Sequence, residues 1–189
     1  MPGPFESDEA LLSRVRAGDT EALGALYDRH SARVFRALSY LVGDPDEAAS
    51  LVQEVFLRVL ERREQYRPES GSFRTWLFGI ARNLAADVLR RAGRERKLLR
   101  PLGEEEPARD DPRETTSGAE LAEDLERLRS ALAGLQPEER ELLVLREIEG
   151  LSYEEIAAIT GEPEGTLRSR LFHSLRKLRR AMGSGGPAR

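Results

Sequence analysis

The chain has 189 residues and a formal net charge of −4, from 30 basic and 34 acidic side chains. It contains no cysteine and only two histidines, which excludes a disulfide framework, thiol catalysis and cysteine-held zinc, and leaves little for a histidine metal site. Aromatic residues make up only 6%, and the dominance of Leu, Ala, Glu and Arg favours helices over a sheet-built enzyme. No apolar run approaches the ~18–20 residues of a membrane span, and the first residues lack a signal-peptide core, so we expect a soluble, cytoplasmic protein.

Four amphipathic helices are predicted in the first half of the chain. Asp19 is a suitable N-cap for the second helix, Gly43-Asp44-Pro45 ends it and starts the third, and Ser72 can cap the fourth. The third helix has the most regular apolar stripe, formed by Ala48, Leu51, Val52, Val55, Phe56, Val59 and Leu60. Four such helices with short links predict a compact bundle over residues 8–92.

The next stretch, residues 93–118, has no apolar period, is rich in proline, and contains the acidic run GEEEPARDDP. This composition predicts a flexible acidic linker, so the units on either side should move independently unless they dock on each other. A second helical unit is predicted over residues 119–182. Its charges are segregated: nine acids lie between Glu138 and Glu164, whereas residues 166–180 carry six basic side chains and no acid.

The second unit ends in a helix-turn-helix pattern. Ser152 and Glu155 form a capping box at the start of a short helix, and Gly161 ends it. A long helix follows, with one apolar stripe of Leu167, Leu171, Leu175, Leu178 and Met182. The opposite, basic face has the composition of a recognition helix that enters the DNA major groove. The alternative is a solvated basic face with no ligand.

Two further surfaces have a structural and a functional interpretation. In the fourth helix, Phe73 and Trp76 are expected mainly in the core, but basic and polar groups beside them suit unstacked bases. In the third helix, Gln53 and Glu54 lie beside the apolar stripe, where polar residues usually meet solvent and can also form a partner-binding face. The sequence has no phosphate-binding glycine loop, nucleophile elbow or zinc-protease motif. We therefore predict no enzyme, no catalytic residue, no metal and no cofactor. A stand-alone helix-turn-helix regulator and a helical adaptor remain alternatives.

Three segments carry a resemblance to a known family: DEAASLVQEVFLRVL, FRTWLFGIARNLAADVLRR and LQPEERELLVLREIEGLSYEEIAAITGEPEGTLRSRLFHSLRKLRR. Together they resemble the extracytoplasmic-function (ECF, group IV) sigma factors of the sigma-70 family, from about residue 8 to 182. The resemblance implies an all-α protein with two small helical domains: region 2, a four-helix bundle, at 8–92 and region 4, a helix-turn-helix unit, at 119–182.

The function that this resemblance implies is transcription initiation. The chain would bind core RNA polymerase through the β′ clamp coiled coil and the β flap, recognise the −35 and −10 promoter elements, and promote DNA melting in a stress or envelope response. An anti-sigma factor is a further possible partner. The linker would lie in the RNA path of the polymerase.

The resemblance also implies site residues, position by position. The −35 contacts would be Thr166, Arg168, Ser169, Phe172, His173 and Arg176. The −10 contacts would be Gln65, Tyr66, Arg67, Phe73, Arg74 and Asn83, with a flipped base held at the loop 65–72. The polymerase contacts would be Leu51, Gln53 and Glu54. Two positions depart from the family: Ala49-Ser50 stands where an acidic pair is usual, and His173 where arginine is usual.

Overall fold

A computed structural model of the chain describes residues 6–99 and 119–183, and every regular element in these two ranges is helical. The all-α prediction is confirmed. Two short 3-10 turns lie between the third and fourth helices, and a π-helical turn at Val144–Ile148 follows the sixth. The helices are α1 (Asp8–Arg16), α2 (Thr20–Val42), α3 (Pro45–Arg62), α4 (Phe73–Leu99), α5 (Ala119–Ala133), α6 (Pro137–Leu143), α7 (Tyr153–Thr160) and α8 (Glu164–Gly183).

Local side chains start the helices where the sequence predicts. The Asp19 carboxylate accepts hydrogen bonds from the N–H groups of Glu21 and Ala22 at 2.9 and 3.3 Å. Asp44 caps α3 and Ser72 caps α4 in the same manner. Each cap satisfies donors that the first turn of a helix leaves unpaired. The positions of these helices therefore follow from short-range chemistry.

Helix α4 extends to Leu99 and so passes the predicted end of the first unit at residue 92. The extension is physically reasonable because the added sequence, GRERKLL, consists mainly of strong helix formers. A single glycine in a helix costs only about 1 kcal/mol relative to alanine. Residues 93–99 of the predicted linker are therefore helical, and residues 100–118 lie outside the described ranges.

The two helical units pack against each other. In the first unit α2 contacts α1, α3 and α4, and in the second α8 contacts α5, α6 and α7. Helix α7 packs on α4, while α2 contacts α5, α6 and the π-helical turn. The buried apolar residues of both units form one continuous cluster, in which Phe78 of α4 and Ile156 of α7 are nearly inaccessible to solvent. The units are docked in this structure, which fixes how their functional surfaces are exposed.

Candidate nucleic-acid interface

Helix α8 has one buried face and one exposed basic face. Leu167, Leu171 and Ser174 are buried against the rest of the second unit. The side chains predicted to contact the −35 element all lie on the exposed part of the helix: Thr166, Arg168, Ser169, Phe172, His173 and Arg176. Phe172 is 61% exposed, more than any other large hydrophobic side chain in the described ranges. This face is the best-formed candidate surface for a ligand.

The turn before α8 fixes the helix in place. Gly161 adopts a left-handed conformation (φ 75°) and ends α7, which is a conformation that glycine adopts with little strain. The Ser152–Glu155 capping box predicted from sequence is present at the start of α7. Arg170 donates two hydrogen bonds to the carboxylate of Glu162, at 2.7 and 2.5 Å, and this contact lowers the pKa of Glu162. The turn and the ion pair together orient the basic face toward solvent.

Aromatic rings organise the arginines on this face. The guanidinium of Arg168 lies 4.3 Å from the ring centroid of Tyr153 and 2.8 Å from a carboxylate oxygen of Glu164. The guanidinium of Arg176 lies 5.9 Å from the ring of Phe172, which in turn contacts the His173 ring edge-on at 5.5 Å. Stacking of this kind restricts a flexible arginine without removing its hydrogen-bond donors. These donors are suited to phosphate oxygens and to the acceptor edge of guanine.

The predicted −10 residues are divided between surface and core. Gln65 and Arg67 are exposed, in the link between α3 and α4. Tyr66 and Phe73 are buried, and their rings contact each other and Trp76. The Tyr66 hydroxyl donates to the carbonyl oxygen of Gly71 at 3.1 Å, and burial together with nearby carboxylates raises its pKa to about 12. In this arrangement Tyr66 and Phe73 support the loop, and Gln65 and Arg67 are accessible to solvent.

The remaining −10 candidates lie on or beside the face of α4 that the second unit covers. Arg74 lies 3.8 Å from the Glu155 carboxylate, and the hydroxyl of the neighbouring Thr75 donates to Glu155 at 2.8 Å. Burial disfavours the charge on Glu155, but hydrogen bonds from Ser152 and Thr75 still leave its pKa below the ordinary value. Asn83 is exposed. The sequence gives no local signal for this covering.

Glu149 makes the most buried of these contacts between the units. Its side chain is 0% exposed and lies between two arginines of α2. Arg33 donates to the carboxylate at 3.1 Å and to the Glu149 backbone oxygen at 3.0 Å, and Arg36 donates two hydrogen bonds at 3.1 and 2.8 Å. Such an arrangement compensates a charge that would otherwise be very costly to bury. Sequence analysis missed all three residues because they are distant along the chain.

The predicted polymerase-binding residues are only partly accessible. Gln53 is exposed, and Glu54 is half-buried and pairs with Arg58 at 2.9 Å. Leu51 is buried in the core. Leu57 is instead 54% exposed on the same helix. In the sequence, Leu57 lies beside the regular apolar stripe of α3 and not in it, and this position could have indicated that it is exposed.

Other kinds of site receive no support within residues 6–99 and 119–183. No group of three or more His, Cys, Asp or Glu side chains is placed to hold a metal ion. His30 is buried and its Nε2 lies 2.7 Å from the Asp8 carboxylate, which links α2 to α1. Over these ranges no helix has the length and apolar character needed to cross a membrane.

Comparison with protein families supports the interpretation of both units. A family model described as Sigma-70 region 2 matches residues 26–95, and one described as Sigma-70, region 4 matches residues 125–178. The ECF RNA polymerase sigma-E factor of Haemophilus influenzae is 36% identical over 179 residues, covering 89% of this chain and 91% of that protein. This chain belongs to the ECF sigma factors. Another relative of this sigma factor, SigE of Mycolicibacterium smegmatis, is 40% identical and covers 92% of the chain and 68% of the relative.

Solved structures share the fold of this sigma factor. CnrH in complex with the cytosolic domain of CnrY has a TM-score of 0.72 at 24% identity, and the match covers 96% of this chain and 100% of CnrH. RpoE of Bartonella quintana in complex with the anti-sigma factor NepR has a TM-score of 0.68, also at 24% identity, and the match covers 86% of this chain and 98% of RpoE. At this level of identity the likeness concerns the fold.

Proposed function

We propose that this sigma factor binds core RNA polymerase and positions two promoter elements on it, without catalysing a reaction itself. Region 4 reads the −35 element through α8, and region 2 reads the −10 element through the loop 65–72 and α4. The observation that carries the proposal is the α8 face, where all six predicted −35 residues are exposed above a buried leucine stripe. Such a face has the geometry of a helix that enters the major groove.

The chemistry of the α8 face suits base recognition. Arg168 and Arg176 can each donate two hydrogen bonds to a guanine edge, and the Phe172 ring can contact a thymine methyl group. His173 replaces the arginine that is usual in the family, and a neutral imidazole donates one hydrogen bond where guanidinium presents a fork. We therefore expect a −35 preference that differs from that of relatives with arginine at this position.

The −10 proposal rests on the loop and the adjoining helix. Gln65 and Arg67 are exposed on a loop whose base is held by the buried rings of Tyr66 and Phe73. Rigid support below a polar loop is suitable for holding a flipped base, because unstacking costs a few kcal/mol that specific contacts must offset. Asn83 would contact DNA further upstream along α4.

The polymerase and regulatory partners follow from surfaces outside the DNA faces. Gln53 and Glu54, with the exposed Leu57 beside them, provide a mixed apolar and polar surface for the β′ clamp. Ala49 and Ser50 are exposed next to it, so this contact lacks the acidic pair usual in the family. Of the two structures of similar fold, one is a sigma factor in complex with an anti-sigma factor. We propose an anti-sigma factor as a partner of this chain as well, and a role in a stress or envelope response.

Run-off transcription with purified core polymerase tests this function. We expect specific initiation from a cognate promoter only when both core and this chain are present. The net charge of −4 favours weak DNA binding by the chain alone, because non-specific affinity depends on phosphate neutralisation by basic residues. Tight, sequence-specific binding by the isolated chain at physiological salt would instead indicate a stand-alone regulator.

A further inference from the structure

Helix α1 contacts the link between α3 and α4, residues 63–72, although the proposed function gives α1 no role. The guanidinium of Arg16, the last residue of α1, donates from Nε to the backbone oxygen of Arg63 at 2.9 Å. From Nη2 it donates to the backbone oxygen of Tyr66 at 2.7 Å. These two oxygens lie on either side of Gln65, which is a proposed −10 contact. One side chain therefore fixes the backbone on both sides of an exposed recognition residue.

The contact depends on the shape of the Arg16 side chain more than on its charge. A guanidinium is planar and presents several donors in a fixed arrangement, so it can hold two backbone oxygens at once. The same group lies 6.0 Å from the centroid of the Tyr66 ring. The carboxylate of Glu64 is 4.0 Å from Nε and largely exposed, and an exposed ion pair of this kind contributes little.

The other end of the link is held from the same helix. A carboxylate oxygen of Glu9, two turns before Arg16 on α1, accepts a hydrogen bond from the backbone N–H of Phe73 at 3.3 Å. Phe73 is the first residue of α4, and such an N–H has no partner within its own helix. Glu9 and Arg16 thus fix both ends of the link.

Helix α1 is itself firmly seated on the bundle. Leu11, Leu12 and Val15 are buried in the core, and the Asp8 carboxylate lies 2.7 Å from Nε2 of His30 in α2. A recognition segment is positioned more precisely when the residues that hold it are locked by packing on rigid elements. Helix α1 therefore has the properties of a support for the link.

We propose that Arg16 and Glu9 are positioning residues for −10 recognition, which hold the link 63–72 in the conformation that presents Gln65 and Arg67 to DNA. The inference rests on the proposed function, because it takes this link to read the −10 element. Neither positioning residue needs to touch DNA. Since a recognition site must be held to within about 0.5 Å of its productive geometry, release of the link should reduce the discrimination between bases.

Arg14 provides a matched control on the same helix. Its side chain is 34% exposed, against 30% for Arg16. Arg14 pairs with Glu6 and Asp19, and both of these lie outside the link. Arg14→Ala therefore removes the same charge and the same side chain from α1 while every contact to the link is retained.

The first test measures −10 preference as a ratio of transcripts from a promoter set varied at each −10 position, with core polymerase. Arg16→Ala should reduce discrimination at one or more positions about tenfold, the order of one good base contact, whereas Arg14→Ala should give the wild-type profile. A loss of folded protein lowers all transcripts in proportion and cannot produce this result. A wild-type profile for Arg16→Ala, or the same altered profile for Arg14→Ala, would overturn the proposal.

Conservative variants separate positioning from a direct contact with DNA. Arg16→Lys retains the charge that a phosphate contact requires but lacks the two fixed donors, so it should resemble Arg16→Ala. Glu9→Gln retains an acceptor oxygen for the Phe73 N–H and should restore the wild-type profile that Glu9→Ala loses. A wild-type profile for Arg16→Lys would assign Arg16 to a phosphate contact, and either this result or a wild-type profile for Glu9→Ala would contradict the proposal.

Trp76, the only tryptophan of the chain, reports the position of the link without DNA. Its ring centroid lies 5.4 Å from that of Tyr66, so release of the link should expose the indole ring. Arg16→Ala should shift the fluorescence emission to longer wavelength and increase quenching by acrylamide, and Arg14→Ala should do neither. Identical spectra and quenching for Arg16→Ala and the wild type would show that Arg16 does not hold the link.

These measurements separate the inference from the proposed function. If the wild-type chain and core polymerase give no transcript from any promoter of the set, the proposed function fails. The fluorescence of Trp76 still reports in that case whether α1 holds the link. If transcription is specific but Arg16→Ala and Arg14→Ala have the same −10 profile, the proposed function stands and the positioning role is wrong.

Discussion

Helices α8 and α4 both carry arginines at or next to positions that sequence analysis assigned to DNA, but the structure gives them different surroundings. On α8, Arg168 and Arg176 face solvent and are held by neighbouring aromatic rings. On α4, Arg74 and Arg82 are held by carboxylates of the other unit. Arg168 is also paired, but with Glu164 one turn away on its own helix, so the face of α8 stays open to solvent. The partners of Arg74 and Arg82 belong to the other unit, which covers α4. The comparison teaches that a basic helix face stays open when its ion pairs lie within the helix and is covered when they come from another element.

The largest expected effect comes from the buried side of α8. Leu167→Ala should lower the free energy of unfolding by about 2–5 kcal/mol, because it leaves a cavity under the helix. Phe172→Ala, on the exposed side, should change stability by no more than about 0.5 kcal/mol while it weakens −35 binding. Urea unfolding and −35 affinity in the polymerase complex measure both quantities. Similar stability losses for the two variants would show that Phe172 is part of the core.

The next prediction concerns base reading by α8. Arg168→Ala should cost about 1–3 kcal/mol on −35 DNA and relax the preference at one base position. Arg179→Ala, further along the helix, is the control and should weaken all sequences equally if it meets only phosphate. A promoter library varied at each −35 position distinguishes these outcomes. A uniform loss with Arg168→Ala would reduce it to a phosphate contact.

The contact of Arg82 with Glu141 should stabilise the folded protein with a characteristic pH dependence. Burial raises the pKa of Glu141, although the hydrogen bond from Arg82 opposes this shift. A carboxyl whose pKa is raised on folding favours the folded state at low pH and loses that contribution as the pH rises through its folded pKa. Arg82→Ala should therefore cost about 1–2 kcal/mol at pH 7 and much less near pH 4, where protonated Glu141 needs no partner.

Glu162 serves as the control, because its pKa is shifted in the opposite direction from that of Glu141. The hydrogen bond from Arg170 lowers its pKa, so its contribution is present above the unfolded value and is lost as the pH falls through the folded value. Glu162→Gln should thus destabilise at pH 7 and have little effect at low pH for this different reason: the wild-type pair has itself been lost. The midpoints of urea unfolding between about pH 4 and pH 7 measure the stability of both variants, in which Glu149 and Glu155 are unchanged. A pH-independent cost for Arg82→Ala would contradict the assigned role of Glu141.

The smallest expected effect lies in the −10 loop. Tyr66→Phe removes the hydrogen bond to the Gly71 carbonyl and should cost about 0.5–1.5 kcal/mol of stability with little change in −10 preference. Replacing the exposed Gln65 and Arg67 by alanine should change the −10 preference and leave the stability nearly unchanged. Transcription from promoters varied at each −10 position checks this. Unchanged preference in the Gln65, Arg67 variant would move −10 recognition onto α4.

The sequence predicts the fold well where the interactions are short-range. The caps at Asp19, Ser72 and Ser152 and the exposed face of α8 follow from spacings of a few residues, and the structure contains them. The π-helical turn after α6 was not predicted, because the apolar pattern there is equally compatible with a continuous α-helix. The contact between Arg33 and Glu149 spans 116 positions, and no local pattern reports a partner at such a distance. The candidate site on α8 was therefore predictable, whereas the covering of α4 was not.

Small-angle X-ray scattering of the free, full-length chain tests most directly whether the second unit packs over α4 in solution. A compact chain of this length is expected to have a radius of gyration of about 16 Å, and the account predicts a wild-type value near this figure. Glu149→Ala should increase the radius of gyration, because Glu149 pairs with two arginines of α2. Glu147→Ala, which removes the same charge from an exposed side chain, should leave it unchanged. A wild-type profile of two separated bodies, unchanged by Glu149→Ala, would contradict the account.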